Sequence, residues 1–285
     1  MTTVFTPTYN RAYILPELYK SLQAQTNKDF EWLVVDDGST DDTESLFDEW
    51  IKEPLFPVRY IKQENGGKHR AINRGVKDAK GELFFIVDSD DQLSNNAVER
   101  ILYHYKSIKD DNSFCGVCGL KSYFSGEKVG GESNFSILDC NSIDFRYKHK
   151  IDGDMAEVVR LEVMKEYPFP EIEEEKFCPE ALFWNRIAIR YKFRYFYEKI
   201  YLCEYLPDGL TSKITKIRMQ SPIASMIHYS ELYVMDIPYY QKIKAAINYW
   251  RFSYCTRKNS CNFHIPFVFA PIGVLYHWLD KRKYK

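Results

Sequence analysis

Leu83-Phe84-Phe85-Ile86-Val87-Asp88-Ser89-Asp90-Asp91 sets five apolar residues directly against three carboxylates. The apolar run suits a strand covered on both faces, as in a parallel sheet, and the aspartates fall where that strand would emerge. Carboxylates this close repel one another unless a cation lies among them, so Asp88-Ser89-Asp90 reads as a divalent-metal site. A turn with a helix N-cap would use the same residue types. The rest of the chain must decide between the two.

Upstream, the pattern alternates. Thr3 to Thr6 reads as a short strand that stops at Pro7, followed by the polar loop Thr8-Tyr9-Asn10-Arg11, after which Leu15, Leu18, Tyr19 and Leu22 recur at helical spacing. Phe30 to Val35 predicts a second strand running into Asp36-Asp37-Gly38-Ser39-Thr40, where Ser39 or Thr40 would cap a helix carrying Leu46, Phe47 and Trp50. Val58 to Ile61 predicts a third strand, followed by Asn65-Gly66-Gly67-Lys68 and a helix over Ala71 to Ala79; Gly81 is expected to end that helix, and Leu83 to Val87 is the fourth strand. Strand-helix-strand-helix order implies a parallel α/β sheet with right-handed crossovers. All strand C-termini then share one edge, where open α/β sheets bind ligands. Thr6-Pro7-Thr8-Tyr9, Asp36-Asp37-Gly38-Ser39, Asn65-Gly66-Gly67-Lys68 and Asp88-Ser89-Asp90 would meet there, which favours a ligand site over a row of turns.

Beyond a helix over Asn96 to Ile108 the regularity fades. Cys115 to Phe124 suits a strand, Ser125 to Gly131 a hairpin turn, and Phe135 to Ile151 a loop or flap, while Glu157 to Glu166 shows mixed apolar spacing. Pro179 leads into a helix, Glu180 to Arg190, Phe193 to Tyr205 reads as β, and Lys216 to about Tyr254 is helical and aromatic.

The 285 residues carry 45% apolar and 16% aromatic side chains, enough for a folded body with a large core. A net charge of −1 conceals an asymmetry: Lys213 to Lys285 holds 12 Lys and Arg against 3 Asp and Glu, a surplus of +9 over a body at −10. An acidic body with a basic, aromatic tail fits a membrane-facing end and argues against nucleic-acid binding. Phe263 to Leu279 is apolar but shorter than the ~20 residues a spanning helix needs, and Lys281-Arg282-Lys283-Tyr284-Lys285 follows. That segment suits either the headgroup layer of an anionic leaflet or a helical hairpin packed on the body. Seven cysteines, an odd number, imply buried thiols in a reducing compartment, Cys115 and Cys118 included. Met1 to Pro7 has neither the basic nor the apolar region of a signal peptide, so a cytoplasmic location is expected, with the tail able to lie on the inner membrane face.

Val4 to Arg11, Val34 to Asp41, Asn65-Gly66-Gly67 with Ala71, Asn73 and Gly75, and Val87 to Asp91 together resemble the family-2 glycosyltransferases with the GT-A fold. The motifs occur in order over roughly the first 110 residues, which is more specific than any one alone. A weaker likeness to a branch that builds bacterial surface polysaccharides continues through Gly153-Asp154, Phe169-Pro170-Glu171, Glu175-Lys176-Phe177, Pro179-Glu180-Ala181 and Trp184-Asn185-Arg186.

The resemblance implies a nucleotide-diphosphate sugar donor, with UDP expected. Thr6, Pro7 and Tyr9 would frame the base, Asp37 would bond the uracil or ribose, and Lys68 would lie near the nucleotide. Asp88 would hold the ribose side and stand with Asp90, the ligand of Mg2+ or Mn2+ at the phosphates. Inverting transfer also needs a base for the acceptor hydroxyl. Glu180 matches that position, and a helix N-terminus favours its ionised form. Many relatives carry Glu-Asp where this chain has Glu180-Ala181, which leaves Asp154 or Glu175 as substitutes or acceptor contacts.

The expected architecture is a GT-A α/β domain over residues 1–212, mostly parallel and flanked by helices, with a helical, basic extension over 213–285. The expected reaction is metal-dependent, inverting transfer of a hexose-type unit to a saccharide or lipid-linked saccharide. The rivals are a catalytically idle sugar-nucleotide-binding or scaffold module and a nucleotidyltransferase; the latter would want a Gly-rich, basic loop after the first strand, which Thr6 to Asn10 does not offer.

Overall fold

The computed structural model describes residues 1–204, 213–258 and 263–284. Two compact units emerge: Met1–Pro168 with Ile187–Glu204, and Phe169–Arg186 with the described part of Tyr205–Lys285. The expected boundary at 212/213 touches residues 205–212, outside the described residues; the segment 169–186 groups with the C-terminal helices.

The first unit is built on one mixed sheet, nine-stranded among the described residues. Its strands are β1 (Thr2–Thr8), β2 (Phe30–Asp36), β3 (Val58–Lys62), β4 (Leu83–Ile86), β5 (Gln92–Leu93), β6 (Phe114–Tyr123), β7 (Ile137–Cys140), β8 (Met155–Arg160) and β9 (Lys192–Cys203). They lie in the order β3-β2-β1-β4-β8-β6-β9-β5, with β7 on β9. Helices α1 (Leu15–Gln23), α2 (Thr43–Trp50), α3 (Lys68–Asp78) and α4 (Ala97–Lys106) follow strands as the alternating pattern predicts. Leu15, Leu18, Tyr19 and Leu22 of α1 are all buried. β1 and β2 are buried along their whole length, as sheet-centre strands covered on both faces must be.

Four local expectations are corrected. β1 does not stop at Pro7 but continues to Thr8, with Pro7 paired against Val35. Even-numbered residues of β1 turn their backbone groups toward β2 (Thr2 N donates to Asp29 O, and Thr8 O accepts from Asp37 N), whereas Phe5 O accepts from Val87 N on the β4 side. Pro7 therefore faces β4, past the last paired residue Ile86, where no donor is needed. The α2 cap is Asp42, not Ser39 or Thr40; Asp41, rather than either hydroxyl, accepts from Thr43 N. Residues 135–151 are not a structureless flap, because β7 and α5 (Ser142–Tyr147) lie within them. The mixed spacing over 157–166 is a strand passing directly into α6 (Leu161–Glu166), so two periods overlap there.

β1, β2, β3 and β4 run parallel, and β8 is antiparallel to both β4 and β6, so β6 points with β4; β9 is parallel to β6. The C-terminal ends of all six strands thus share one edge. Strand order changes direction beside β1, whose neighbours are β2 and β4, and a crevice forms at such a switch point.

In the second unit, α8 (Ile214–Gln220), α9 (Pro222–Val234), α10 (Tyr239–Ser253) and α11 (Ala270–Lys283) follow α7 (Ala181–Ala188), most of which lies in segment 169–186. The α11 residues turned inward are Ala270, Gly273, His277 and Asp280, at helical spacing. Arg251 of α10 grips Asp280 with two bonds of 2.6 and 2.7 Å, and a Cβ on Gly273 would stand 2.5 Å from that of Trp250. The tail is therefore a packed hairpin on its inner face. Its outer face leaves Phe267, Val268, Ile272, Leu275, Trp278 and Leu279 exposed. No helix among the described residues is long and apolar enough to cross a membrane.

Gly75 seats α3 on β1: a Cβ there would lie 2.1 Å from the Phe5 ring. Overpacking of about 1–3 kcal/mol outweighs the up to ~1 kcal/mol of helix propensity an alanine adds. Gly75→Ala is expected to lower the urea midpoint; a midpoint at or above wild type would refute this seating of the helix.

Candidate active site

The shared edge collects charge of both signs. Asp88, Asp90 and Asp91 follow β4 in a turn closed by the Asp91 N–H on Asp88 O at 3.1 Å. Lys68, the first residue of α3, places Nζ 2.6 Å from Asp88 Oδ1. Arg11, in the loop after β1, places Nη2 3.9 Å from Asp90 Oδ2. Tyr201 of β9 donates its hydroxyl to Asp91 Oδ2 at 2.6 Å and accepts the Asp88 amide at 3.0 Å, while Lys121 Nζ of β6 lies 4.0 Å from the Tyr201 ring centre. Three carboxylates are thus faced by three cations.

The electrostatics follow from that crowding. Burial pushes the Asp88 carboxyl up, but Lys68 and Lys121 more than offset it and hold it below the usual range. Asp90 is pushed up by burial and by the charge on Asp88, with Arg11 opposing. Asp91 is pushed up to about 7 by burial and by Asp88. Asp88 is therefore the best-compensated anion of the three.

The loops alongside are tied to one another. Asp37 accepts four hydrogen bonds: Oδ1 from Gln63 Nε2 and Gly66 N at 2.8 and 2.9 Å, Oδ2 from Asn65 Nδ2 and Gly67 N at 3.2 and 2.7 Å. It thereby shapes the loop that launches α3 and Lys68. Gly67, at φ +97°, occupies backbone space that side chains rarely adopt. Asn10, at φ +53°, donates its N–H to Ser39 Oγ and accepts Thr40 N at 2.8 Å each, fixing the β1 loop against the β2 loop. Tyr9 next to it is 49% exposed, so it is not core. Thr6 is fully buried, its Oγ1 accepting Trp32 Nε1 at 3.0 Å, and therefore supports the edge from within.

Thr6, Pro7, Tyr9, Asp37, Lys68, Asp88 and Asp90 thus converge at the end of the first unit's sheet. Arg11, Lys121, Tyr201 and Asp91 join them without having been assigned roles from sequence. Arg11 stands in the polar loop after β1, two residues beyond Tyr9, and its charge there is a signal legible in the sequence. Lys121 and Tyr201 had none, since only the pairing of β6 with β9 joins them.

Glu180 belongs to the second unit and immediately precedes α7, its carbonyl accepting the Phe183 and Trp184 amides at 2.9 and 3.3 Å. Glu175 caps α9: its two carboxylate oxygens accept Ile223 N and Ala224 N at 2.7 and 2.9 Å. That occupation argues against Glu175 as a substitute base. Asp154 lies in the first unit, directly before β8.

Among the described residues no group of three or more His, Cys, Asp or Glu side chains forms a ready-made metal cage. Asp88 and Asp90 offer two carboxylates on one turn, which fits a cation that completes its shell with phosphate oxygens and water. The six described cysteines are all free, and burial pushes the Cys115 and Cys118 thiols up, as inert core thiols require.

Residues 3–148 match the family model described as "Glycosyl transferase family 2". Glycosyltransferase GlyG of Streptococcus pneumoniae is 34% identical over 138 residues, 48% of this chain and 44% of that protein. The GalNAc(5)-diNAcBac-PP-undecaprenol beta-1,3-glucosyltransferase of Campylobacter jejuni is 28% identical over 206 residues, 68% of this chain and 61% of that protein. The match thus spans about half the length of these relatives. Among solved structures, Staphylococcus aureus TarS 1-349 in complex with UDP aligns with a TM-score of 0.62 at 20% identity, covering 90% of this chain and 72% of that one. The mannosyltransferase PcManGT of Pyrobaculum calidifontis, in complex with GDP-Man and Mn2+, aligns at 0.58 and 15% identity, covering 100% and 76%. These likenesses place the sheet and its helices in the GT-A fold. With the family model matching more than half of its residues around the edge that carries Asp88 and Asp90, the chain belongs to glycosyl transferase family 2.

Proposed function

We propose that the protein transfers a hexose-type unit, with inversion, from a UDP-sugar to a saccharide or lipid-linked saccharide in surface polysaccharide synthesis. The observation that carries this reading is the convergence of Asp88, Asp90, Lys68 and Arg11 at the β1/β4 switch point. A diphosphate leaving group needs positive charge, and Lys68 and Arg11 supply it from the chain itself. TarS bound to UDP and to UDP-GlcNAc, and the undecaprenol-linked substrate in the name of the Campylobacter relative, support the donor and acceptor classes. Tyr9, exposed beside the pinned Asn10 loop, offers a ring face to the base, and Asp37, through the loop it clamps, sets the floor on which the nucleotide rests.

Asp90 with Asp88 would hold Mg2+ or Mn2+, which when bound neutralises charge at the diphosphate. Glu180 takes the proton of the acceptor hydroxyl as its oxygen bonds to the anomeric carbon and the bond to diphosphate breaks.

On the second unit, the exposed face of α11 and the Lys281-Arg282-Lys283 run in its last turn suit an anionic leaflet, which would bring the enzyme to a lipid-linked acceptor on the inner membrane face. The Arg282 guanidinium lies 3.6 Å from the Trp278 ring centre, an amphipathic pair of the kind found at headgroup level.

Asp90→Ala is expected to abolish the Mn2+-dependent part of UDP binding in calorimetry, and equal affinity with and without metal in both proteins would refute the role. For Glu180→Gln the expectation is preserved UDP binding with turnover on a UDP-sugar panel reduced ~10²–10⁴-fold; a near-normal rate moves the base to Asp154. UDP binding by the wild type without transfer to any acceptor would instead favour a nucleotide-binding module. Neutralising Lys281, Arg282 and Lys283 together should weaken partitioning onto anionic vesicles by about 1 kcal/mol per residue. Sedimentation unaffected by these changes would leave α11 as a packed hairpin only.

A further inference from the structure

Asp91, Lys121 and Tyr201 have no part in the sugar transfer proposed above, yet they are tied to the turn that carries Asp88 and Asp90. Register explains how they meet. Phe85 pairs with Val158 and Met155 pairs with Leu120, so Asp88, three residues beyond Phe85, stands level with Met155 and Leu120. Lys121 is next along β6 and pairs with Tyr201 of β9. The sheet itself therefore carries a phenol and an ammonium to the carboxylate turn.

The chemistry of each group fits the place. Tyr201 is fully buried, with its ring edge-on to Phe85 in the core, and a phenylalanine would satisfy that packing equally. Only the hydroxyl distinguishes tyrosine, and it works in both directions: it donates to Asp91 Oδ2 at 2.6 Å and accepts the Asp88 N–H at 3.0 Å. Both ends of the turn are thereby held by one atom. Asp91 is buried, while Asp88 and Asp90 keep part of their side-chain surface open. Lys121, its ammonium against the Tyr201 ring, sets a cation beside a turn of three like charges.

We propose that Tyr201 and Asp91 are positioning residues for the donor diphosphate: their shared hydroxyl locks the turn so that Asp91 is turned inward and Asp88 and Asp90 are presented together. Lys121 is the fixed cation that allows the locked turn to keep its charges. The lock acts through Asp88 and Asp90 and rests on the reading of this edge as a nucleotide-sugar site.

Hydrogen–deuterium exchange over residues 86–93 reads the lock without any ligand. Tyr201→Phe is expected to raise exchange there about tenfold, the usual worth of a bond to a charged group, while β1 and β2 keep their protection. Asp91→Asn should act in the same segment. UDP with Mn2+, titrated by calorimetry, should bind each variant about tenfold more weakly, and the double variant no more weakly than either single one, because both remove the same lock. Unchanged exchange in the 86–93 segment, or losses that add in the double variant, would overturn the proposal. Lost protection across the whole sheet would also overturn it, as it would mark Tyr201 as a general packing residue. If the wild type binds no UDP while exchange responds as expected, the donor reading fails and the lock itself stands.

Discussion

Three carboxylates crowded onto one turn repel one another, and much of the first unit is arranged so that they remain together. Each is met by a group from a different element: Asp88 by Lys68 of α3, Asp90 by Arg11 after β1, and Asp91 by Tyr201 of β9. Lys121 of β6 adds a further positive charge. Partly buried charges survive only when paired or neutralised, so the position of the turn constrains the positions of four other segments. A parallel edge is well suited to this, since it delivers consecutive segments to one place.

The supports beneath that edge are of a different kind. Asp37 is occupied by four donors from the loop between β3 and α3, and Asp36 by Ser39 N and the Tyr60 hydroxyl. Neighbouring aspartates that look equally available in sequence are thus structural ties at β2 and charged groups facing the crevice at β4. Burial and Asp36 together push the Tyr60 hydroxyl far up, so it stays a donor. At Gly75 and Pro7 the backbone chemistry has direct uses: one permits close approach of α3 to Phe5, the other occupies a slot where no N–H is required. Both keep Lys68 and the Thr8 strand end in line with the acidic turn.

The second unit obeys simpler rules. Small residues and one bidentate ion pair hold α11 to α10, a carboxylate caps α9, and Arg186 grips Glu231 at 2.8 and 2.7 Å. What internal packing does not require is the set of exposed apolar side chains on α11 beside the basic residues of its last turn.

By itself the sequence determined the alternating strands and helices of the first 110 or so residues, the shared edge, and the convergence of Thr6, Tyr9, Asp37, Lys68, Asp88 and Asp90. These are legible because each depends on neighbours along the chain: a period, a glycine, a polar cluster after an apolar run. Only the tertiary structure decided that Thr6 faces the core, that Asp37 accepts four donors from the loop before α3 and Glu175 two amides of α9, that 157–166 divides into strand and helix, and that Asp91 answers to Tyr201. The hydroxyl and carboxylate of that last contact stand 110 residues apart and meet through the pairing of β9 with β5, the two-residue strand directly after Asp91, a long-range register that no local pattern encodes.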